Sequence, residues 1–96
     1  MKTELTVYIV ECADGSFYTG STKKQIEARV WEHNNLPGDS YCASRRPVRL
    51  VFTESYARII DGHARERQIK GWSRRKKIAL IERRYEDVPA LANRKT

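Results

Sequence analysis

Two tyrosines ten residues apart are the first side chains of this sequence that could take part in catalysis. Tyr8 lies in the apolar, β-branched segment Leu5–Cys12, and Tyr18 directly follows Phe17. A phenol has an ordinary pKa of about 10, so it exchanges a proton near neutral pH only with help from neighbouring groups. Taken alone, two strand tyrosines more often pack in a core or at its rim. Gly20 favours the functional interpretation, because a glycine at this point lets a backbone or a ligand approach closely.

An arginine and a histidine follow on one face of a predicted helix. Arg29 and His33 have i, i+4 spacing, and the same face carries Ile26 and Val30. The apolar pair should anchor this face to a sheet, which directs the guanidinium and the imidazole toward the strands. The fixed fork of donors on a guanidinium suits a phosphate. For His33 alone a structural role is the more common one, and for the pair both interpretations stay open.

A single carboxylate, Glu66, lies among positive side chains on a later helix. Its neighbours include His63, Arg65, Arg67 and Lys70. One explanation is a surface ion pair, which contributes little stability. The functional alternative is a hard oxygen ligand for Mg²⁺, which proteins usually hold with one or two carboxylates, waters and a substrate phosphate.

A hairpin should bring the two tyrosines together. The segment Leu5–Cys12 is rich in β-branched and aromatic residues and predicts a strand. Asp14-Gly15 is a strong turn signal because both residues tolerate positive φ. Phe17–Gly20 then returns as a second strand, and the two phenols can face each other if they lie on one face of the pleat.

The remaining sequence predicts three helices and one more strand. Thr22 and Gln25 have the spacing of a capping box, so a first helix is expected from about Lys23 to Asn34 or Asn35. The other expected elements are a loop over Ser40–Pro47, a strand over Val48–Ser55, a helix best formed over His63–Trp72, and a last helix over about Arg74–Tyr85 capped by Ser73. The order β-β-α-β-α-α predicts a small mixed α/β fold, a three-stranded antiparallel sheet flanked by helices.

Size and charge fit one small basic domain. The chain has 96 residues and a net charge of +7, and we expect residues 1–96 to form a single domain with a core over about 5–85 and a tail over 86–96. Such charge suits a polyanion, since each cation placed near a phosphate releases counterions, although many basic domains bind no nucleic acid. The candidate phosphate contacts are Lys70, Arg45, Arg46, Arg74, Arg75 and Lys76. A solvated basic face is the alternative for the last three, which oppose the macrodipole at a helix start.

The sequence gives no sign of membrane insertion or of a metal-binding cysteine motif. No apolar run approaches the roughly 20 residues that a spanning helix needs, and the N-terminus does not read as a signal peptide, so a cytoplasmic protein is expected. Cys12 and Cys42 lack metal-site spacing, and we expect two reduced, semi-apolar side chains.

Taken in order, these motifs resemble those of the GIY-YIG endonucleases. The correspondence consists of Thr6-Val7-Tyr8 with the Gly-Ile-Tyr motif, Tyr18-Thr19-Gly20 with Tyr-Ile-Gly, Glu27–Asn34 with the Arg-x-x-x-His-Asn helix, Val48–Phe52 with the intervening strand, and Glu66–Trp72 with the segment of the metal-binding glutamate. Thr6, Val7 and Thr19 depart from the family pattern but are compatible with strands. The likeness spans about Val7 to Ile81 and is greatest to the short, stand-alone bacterial members.

The resemblance implies metal-dependent hydrolysis of phosphodiester bonds. Tyr8, Tyr18, Arg29, His33 and Glu66 would form the site, with Glu66 holding one Mg²⁺, for which Mn²⁺ can substitute. Arg29 would clamp the phosphate, and Tyr8 would take a proton from the attacking water if nearby cations lower its pKa or share the proton. The choice of base among Tyr8, Tyr18 and His33 stays open at this stage.

Substrate and partners are less well specified. No helix or finger that reads base edges is recognisable. We therefore expect structure-directed or weakly selective cutting of DNA, in repair or recombination, by a monomer to which a partner protein could add specificity. The alternative is a basic module that binds nucleic acid and cuts nothing.

Overall fold

A three-stranded sheet lies between helices in the computed structural model, which describes residues 2–37 and 41–82. The elements in chain order are β1 (Leu5–Glu11), β2 (Phe17–Thr22), α1 (Ile26–Asn35), a 3₁₀ turn (Ala43–Arg45), β3 (Arg49–Tyr56), α2 (Ile59–Lys70) and α3 (Arg74–Ile81). This confirms the expected mixed α/β class and element order. Within the described ranges, none of the helices has the length and apolar character needed to cross a membrane.

β1 is the central strand of the sheet. The strand order is β2-β1-β3, and β1 pairs antiparallel with both neighbours. Because successive side chains of a strand point to opposite faces, β1 contributes Val7 and Ile9 to one face and Tyr8 and Val10 to the other. All four of these residues are buried, which explains why the strand reads as a nearly continuous apolar run.

The two faces of the sheet carry separate hydrophobic clusters. On one face, the buried cluster comprises Val7, Ile9, Phe52, Ile69 and Leu80, which come from β1, β3, α2 and α3. On the other face, it comprises Tyr8, Val10, Cys12, Cys42 and Val48, with Tyr18, Ile26 and Val30 packed against it. Helix α1 therefore covers the face that carries the two tyrosines, and α2 and α3 cover the opposite face.

The hairpin turn between β1 and β2 forms where the sequence predicts it. Gly15 has a φ of 85°, in the left-handed region that glycine adopts without steric cost. Its N–H donates to the Cys12 carbonyl at 2.9 Å, and Asp14 Oδ1 accepts from the backbone N–H of Ser16 at 3.0 Å. These bonds close the turn and set the register that pairs β1 with β2.

Two helix starts differ from the sequence expectation. The proposed capping box is wrong: Thr22 stays in β2 opposite Thr6, its hydroxyl accepts from the Lys24 N–H at 3.0 Å, and α1 begins only at Ile26. Thr22, which the local spacing predicted as a helix cap, is therefore a strand residue because β2 pairs with β1 there. Helix α2 begins earlier than its better-formed part, at Ile59.

The start of the last helix is as expected. Ser73 Oγ accepts from the Lys76 N–H at 3.2 Å, which confirms Ser73 as the N-cap of α3. The expected end of this helix near Tyr85, and the tail over 86–96, lie outside the described residues.

Candidate active site

Tyr8 and Tyr18 lie on the same face of the sheet, diagonally across the β1–β2 pair. Tyr8 is opposite Gly20, and Tyr18 is opposite Val10. A Cβ at position 20 would lie only 2.6 Å from the Tyr8 hydroxyl oxygen and 3.0 Å from Tyr18 Cε2. Gly20 is therefore needed because the phenol rings themselves occupy the space above it.

Tyr8 and His33 form a buried hydrogen-bonded pair. The Tyr8 hydroxyl oxygen lies 2.7 Å from His33 Nε2, and the two residues are 1% and 7% exposed. The His33 ring also meets the edge of Tyr18, with 5.5 Å between ring centroids. The helix and the hairpin thus bring two phenols and one imidazole into a single cluster.

Burial shifts the pKa values of this pair in opposite directions. It raises the pKa of Tyr8 to about 12, even though the nearby Arg29 guanidinium opposes the shift. It also lowers the pKa of His33 below its ordinary value, and the positive charge of Arg29 adds to that effect. At neutral pH the pair therefore consists of a neutral phenol and a neutral imidazole. The sequence-based idea that cations lower the pKa of Tyr8 is not what this geometry favours, because desolvation dominates.

Arg29 links the buried pair to the surface. Its guanidinium interacts with the Tyr8 phenol, its Nη1 donates to Glu32 Oε1 at 2.9 Å, and its side chain is 34% exposed. A guanidinium held on one side in this way keeps donors available for an incoming anion.

Four hydrogen bonds tie the C-terminal end of α1 to the chain just before β3. Asn34 donates through Nδ2 to the Val48 carbonyl at 3.0 Å and accepts from the Val48 N–H through Oδ1 at 2.8 Å. Arg46 Nε donates to the His33 carbonyl at 2.7 Å and also bonds the Leu36 carbonyl. These contacts fix the position of His33. Because the Arg46 guanidinium is hydrogen-bonded to carbonyl groups at the end of α1, the structure does not support Arg46 as a phosphate contact.

Glu66 lies at the β2 edge of the sheet, on the side of α2. Its Oε1 accepts from Ser21 Oγ at 2.6 Å, and Ser21 is paired with Val7 and so shares the α2 face. Its Oε2 lies 3.1 Å from Lys70 Nζ, which in turn lies 5.9 Å from the centroid of the Tyr18 ring. Lys70 therefore lies between the Glu66 carboxylate and the Tyr18 ring at the edge strand, and Glu66 itself lies on the α2 face, opposite the face that carries Tyr8 and Tyr18.

The Glu66 carboxyl is ionised at neutral pH. Burial alone would raise its pKa, but hydrogen bonds from Ser21, Lys70 and His63 outweigh this and hold the pKa below its ordinary value. Among the described residues there is no group of three or more His, Cys, Asp or Glu side chains that could enclose a metal ion. One ionised oxygen donor fits Mg²⁺ or Mn²⁺, which keep several waters and take further oxygens from a phosphate. It does not fit Zn²⁺, which takes three or four protein ligands.

The remaining predicted phosphate contacts have mixed surroundings. Arg74 Nη1 donates to the Gly15 carbonyl at 2.7 Å and packs over Phe17, and Arg75 is exposed. Lys76 is only 4% exposed, with its ammonium 3.6 Å from the centroid of the Trp72 ring. A buried lysine held over an indole is not placed to meet a phosphate, and this part of the prediction has no support in the structure.

One aromatic residue of the site was missed by sequence reasoning. Tyr41 stacks on Tyr18, with 5.9 Å between centroids and 26° between ring planes, and the Arg45 guanidinium lies 3.8 Å from the Tyr41 centroid. Tyr41 falls in a segment predicted as a loop, where no periodicity indicates what it faces. The two neighbouring arginines, Arg45 and Arg46, are the sequence signal that could have indicated a loop close to the site.

A cavity of about 410 Å³ lies farther along the tyrosine face of the sheet. Thr6, Thr22, Thr53 and Ser55 contribute to its lining, together with the residues that precede and begin α1. None of the five residues predicted for catalysis lines it. This cavity is therefore separate from the hydrogen-bonded Tyr8–His33 cluster beside α1.

Known proteins resemble this chain over most of its length. Residues 4–79, which include all five predicted catalytic residues, match the family model described as the GIY-YIG catalytic domain. The UPF0213 protein of Staphylococcus aureus strain Mu3 is 47% identical over 78 residues, or 81% of this chain and 94% of that protein, and the UPF0213 protein of strain N315 matches to the same extent. The solution NMR structure of the UPF0213 protein BH0048 from Bacillus halodurans is 38% identical, covers 81% of this chain and 82% of its own, and has a TM-score of 0.54.

Proposed function

Because this chain belongs to the GIY-YIG catalytic-domain family, a family of nucleases, we propose that it is an endonuclease that hydrolyses phosphodiester bonds in DNA with the help of a divalent metal ion. The observation that carries the proposal is the buried Tyr8–His33 hydrogen bond of 2.7 Å with the Arg29 guanidinium beside it. A proton-transfer pair next to a phosphate-binding cation is what in-line attack of water on a phosphodiester requires.

The phenol and the imidazole act together as the base. A phenol with a pKa of about 12 is protonated at neutral pH, so Tyr8 can accept a proton only as it gives its own away. His33, kept neutral by burial, accepts that proton at Nε2. The proton of the attacking water passes to the Tyr8 oxygen, the water oxygen forms the new P–O bond, and the P–O bond to the leaving alkoxide breaks. The alkoxide then takes a proton from solvent.

Arg29 and Tyr18 position the substrate. The guanidinium of Arg29 donates to non-bridging phosphoryl oxygens, whose negative charge grows as the bond forms, and this preference for the transition state accelerates the step. Tyr18 packs against the edge of the imidazole and restricts its orientation. Lys70, between Glu66 and Tyr18, is a further phosphate contact.

Glu66 holds the metal ion in this proposal. The ionised carboxylate supplies one ligand, and waters and substrate oxygens supply the others. When bound, Mg²⁺, or Mn²⁺ in its place, would supply stabilisation of the negative charge that develops during phosphodiester hydrolysis. Lys70 Nζ, which lies 3.1 Å from Oε2, would pair with the substrate phosphate if the carboxylate held the ion.

The substrate is DNA whose structure, rather than a defined sequence, directs cutting, as occurs in repair or recombination. The net charge of +7 provides attraction that does not depend on sequence, and the described residues contain no helix that enters a groove through a recognisable base-reading motif.

The test compares two carboxylate variants on branched, single-stranded and duplex DNA. The wild-type protein should cut with Mg²⁺ or Mn²⁺ and not in chelator, and Glu66→Gln should lose at least about 10²-fold in rate while keeping its melting temperature. Glu11→Gln is the matched control, because Glu11 is another ion-paired carboxylate whose partner, Arg49, is not among the predicted catalytic residues. Full activity of Glu66→Gln would remove the metal-ligand role. Tight binding without cleavage by the wild-type protein under every metal condition would show a nucleic-acid-binding module with an inactive site.

A further inference from the structure

Tyr41 and Arg45 form a partly exposed stack that continues the catalytic cluster to the surface. Tyr41 lies against Tyr18, Tyr18 meets His33, and His33 is bonded to Tyr8. Tyr41 is 40% exposed and the Arg45 side chain is 34% exposed. We call these two residues the stacking surface. It lies one aromatic ring away from the His33 imidazole.

The Arg45 guanidinium is held by hydrogen bonds from its N–H groups. Nε donates to Asp14 Oδ2 at 3.1 Å, and Nη1 donates to the Tyr41 carbonyl at 3.0 Å and to Ser44 Oγ at 3.1 Å. Such bonds lie near the plane of the guanidinium, so they fix its orientation. One flat face of the group covers the Tyr41 ring, and the face turned away from Tyr41 is the one on which a planar ligand would stack. The group is preorganised for stacking.

The charge of Arg45 is largely matched by its neighbour. Hydrogen bonds from Ser16 lower the pKa of Asp14, with a further contribution from Arg45, so the carboxylate next to the guanidinium is ionised. A phosphate at this point would meet Asp14 as well as Arg45. The sequence predicts Arg45 as a phosphate contact, whereas these surroundings favour an uncharged, planar ligand.

We propose that the stacking surface of Tyr41 and Arg45 binds an unpaired nucleobase next to the phosphate that is cut. Nucleobases stack on tyrosine rings and on guanidinium planes with little regard to sequence. A base inside a continuous duplex is already stacked between its neighbours, so the surface selects a nucleotide that is unpaired or displaced. This proposal deepens the proposed function and rests on it, since it assigns a positioning role in the same site.

Exposure alone does not single out this pair. Trp31 on α1 is 58% exposed, more than Tyr41, but it has no ring or cation contact of this kind among the described residues. What distinguishes Tyr41 is that its ring joins the Tyr18–His33–Tyr8 cluster on one side and a fixed guanidinium on another. Trp31 therefore serves as a matched control.

Binding in chelator tests the proposal without requiring cleavage. The probes are a single-stranded oligonucleotide containing 2-aminopurine and a blunt duplex of the same length, with anisotropy giving Kd and 2-aminopurine fluorescence reporting stacking. Tyr41→Leu and Arg45→Lys should each weaken single-strand binding about tenfold and abolish the quenching of 2-aminopurine, while duplex binding changes less than twofold. Trp31→Leu should alter neither measurement. Arg45→Lys keeps the charge and removes the plane, so it tests stacking if Tyr41→Leu does not fold.

The outcomes separate this proposal from the nuclease assignment. Equal losses on both probes would make the pair a general backbone contact, and unchanged quenching in both variants would show that no base stacks there; either result overturns the proposal. A wild-type protein that shows the selective binding but cuts no DNA with Mg²⁺ or Mn²⁺ would overturn the nuclease assignment and the placement beside a cut phosphate. Selective loss of quenching with metal-dependent cleavage in the wild type supports both.

Discussion

Replacing Gly20 by alanine should disrupt the Tyr8–His33 pair from the neighbouring strand. The added Cβ would lie 2.6 Å from the Tyr8 hydroxyl oxygen and 2.8 Å from Tyr8 Cζ. An ordinary contact begins at 3.4 Å, so the end of the ring must move by about 0.8 Å. Tyr8 is 1% exposed and its hydroxyl is hydrogen-bonded to His33 at 2.7 Å, so the movement comes at the expense of that bond.

Two effects add to the cost of this substitution. Overpacking a well-filled interior costs about 1–3 kcal/mol, and loss of a buried hydrogen bond adds about 1 kcal/mol. We therefore expect the free energy of unfolding to fall by about 2–4 kcal/mol, which lowers the melting temperature by roughly 10 °C or more in a domain of this size. A displacement near 1 Å in a catalytic group lowers the rate by about 10²-fold.

Gly71→Ala provides the matched control. A Cβ at position 71 would meet only backbone oxygens, of Gln68 at 3.7 Å and of Arg67 at 4.0 Å, and its φ is −84°. We expect a change within about 0.5 kcal/mol. Thermal melts followed by circular dichroism, and single-turnover cleavage of DNA with Mg²⁺, measure the two effects separately. If Gly20→Ala melts and cleaves as Gly71→Ala does, the reasoning about the space above position 20 is refuted.

Three further substitutions test the core, the imidazole and a helix cap. Thr19→Val removes a buried hydroxyl that has no hydrogen-bond partner among the described residues, so urea unfolding should show a gain of about 1 kcal/mol, whereas a loss would reveal a partner for the hydroxyl. Burial, and to a lesser extent the charge of Arg29, lowers the pKa of His33 below 6.5, so the unfolded chain binds the proton more readily than the folded protein does. The free energy of unfolding should therefore decrease as the pH falls through 6.5. His33→Gln should flatten this pH dependence, and an unchanged slope in that variant would contradict the lowered pKa of His33. Ser73→Ala should lower the free energy of unfolding by about 1 kcal/mol and Ser73→Thr by much less, because the hydroxyl caps α3 by accepting from the Lys76 N–H. Equal losses of stability in the two variants would exclude the cap as the cause.

Contacts set by local spacing could be predicted from the sequence. The hairpin turn fixed the register that places Tyr8 and Tyr18 on one face, and i, i+4 spacing placed Arg29 and His33 together. Both relations depend on the geometry of one hairpin or one helix. The cluster follows once the apolar residues beside them bury that face.

Contacts between distant segments could not be predicted in the same way. Tyr41 meets Tyr18 and Arg46 binds the end of α1 because the chain before β3 folds back over α1, and no period in the sequence encodes that path. Charge counting assigned Lys76 to the surface, although the residue is buried and its ammonium lies over the Trp72 ring. At Thr22 the local sequence predicted a helix cap, but the residue pairs with Thr6 in the sheet instead.

The alternation along β1 divides the molecule into parts that tolerate different changes. Val7 and Ile9 face α2 and α3, whereas Tyr8, between them, faces α1. The α2 and α3 side can therefore be repacked with other apolar side chains for heat resistance without touching the phenol. The backbone of β1 belongs to both halves, so an insertion or deletion of one residue there would exchange the two sets of side chains and remove thermal stability and chemistry in a single step.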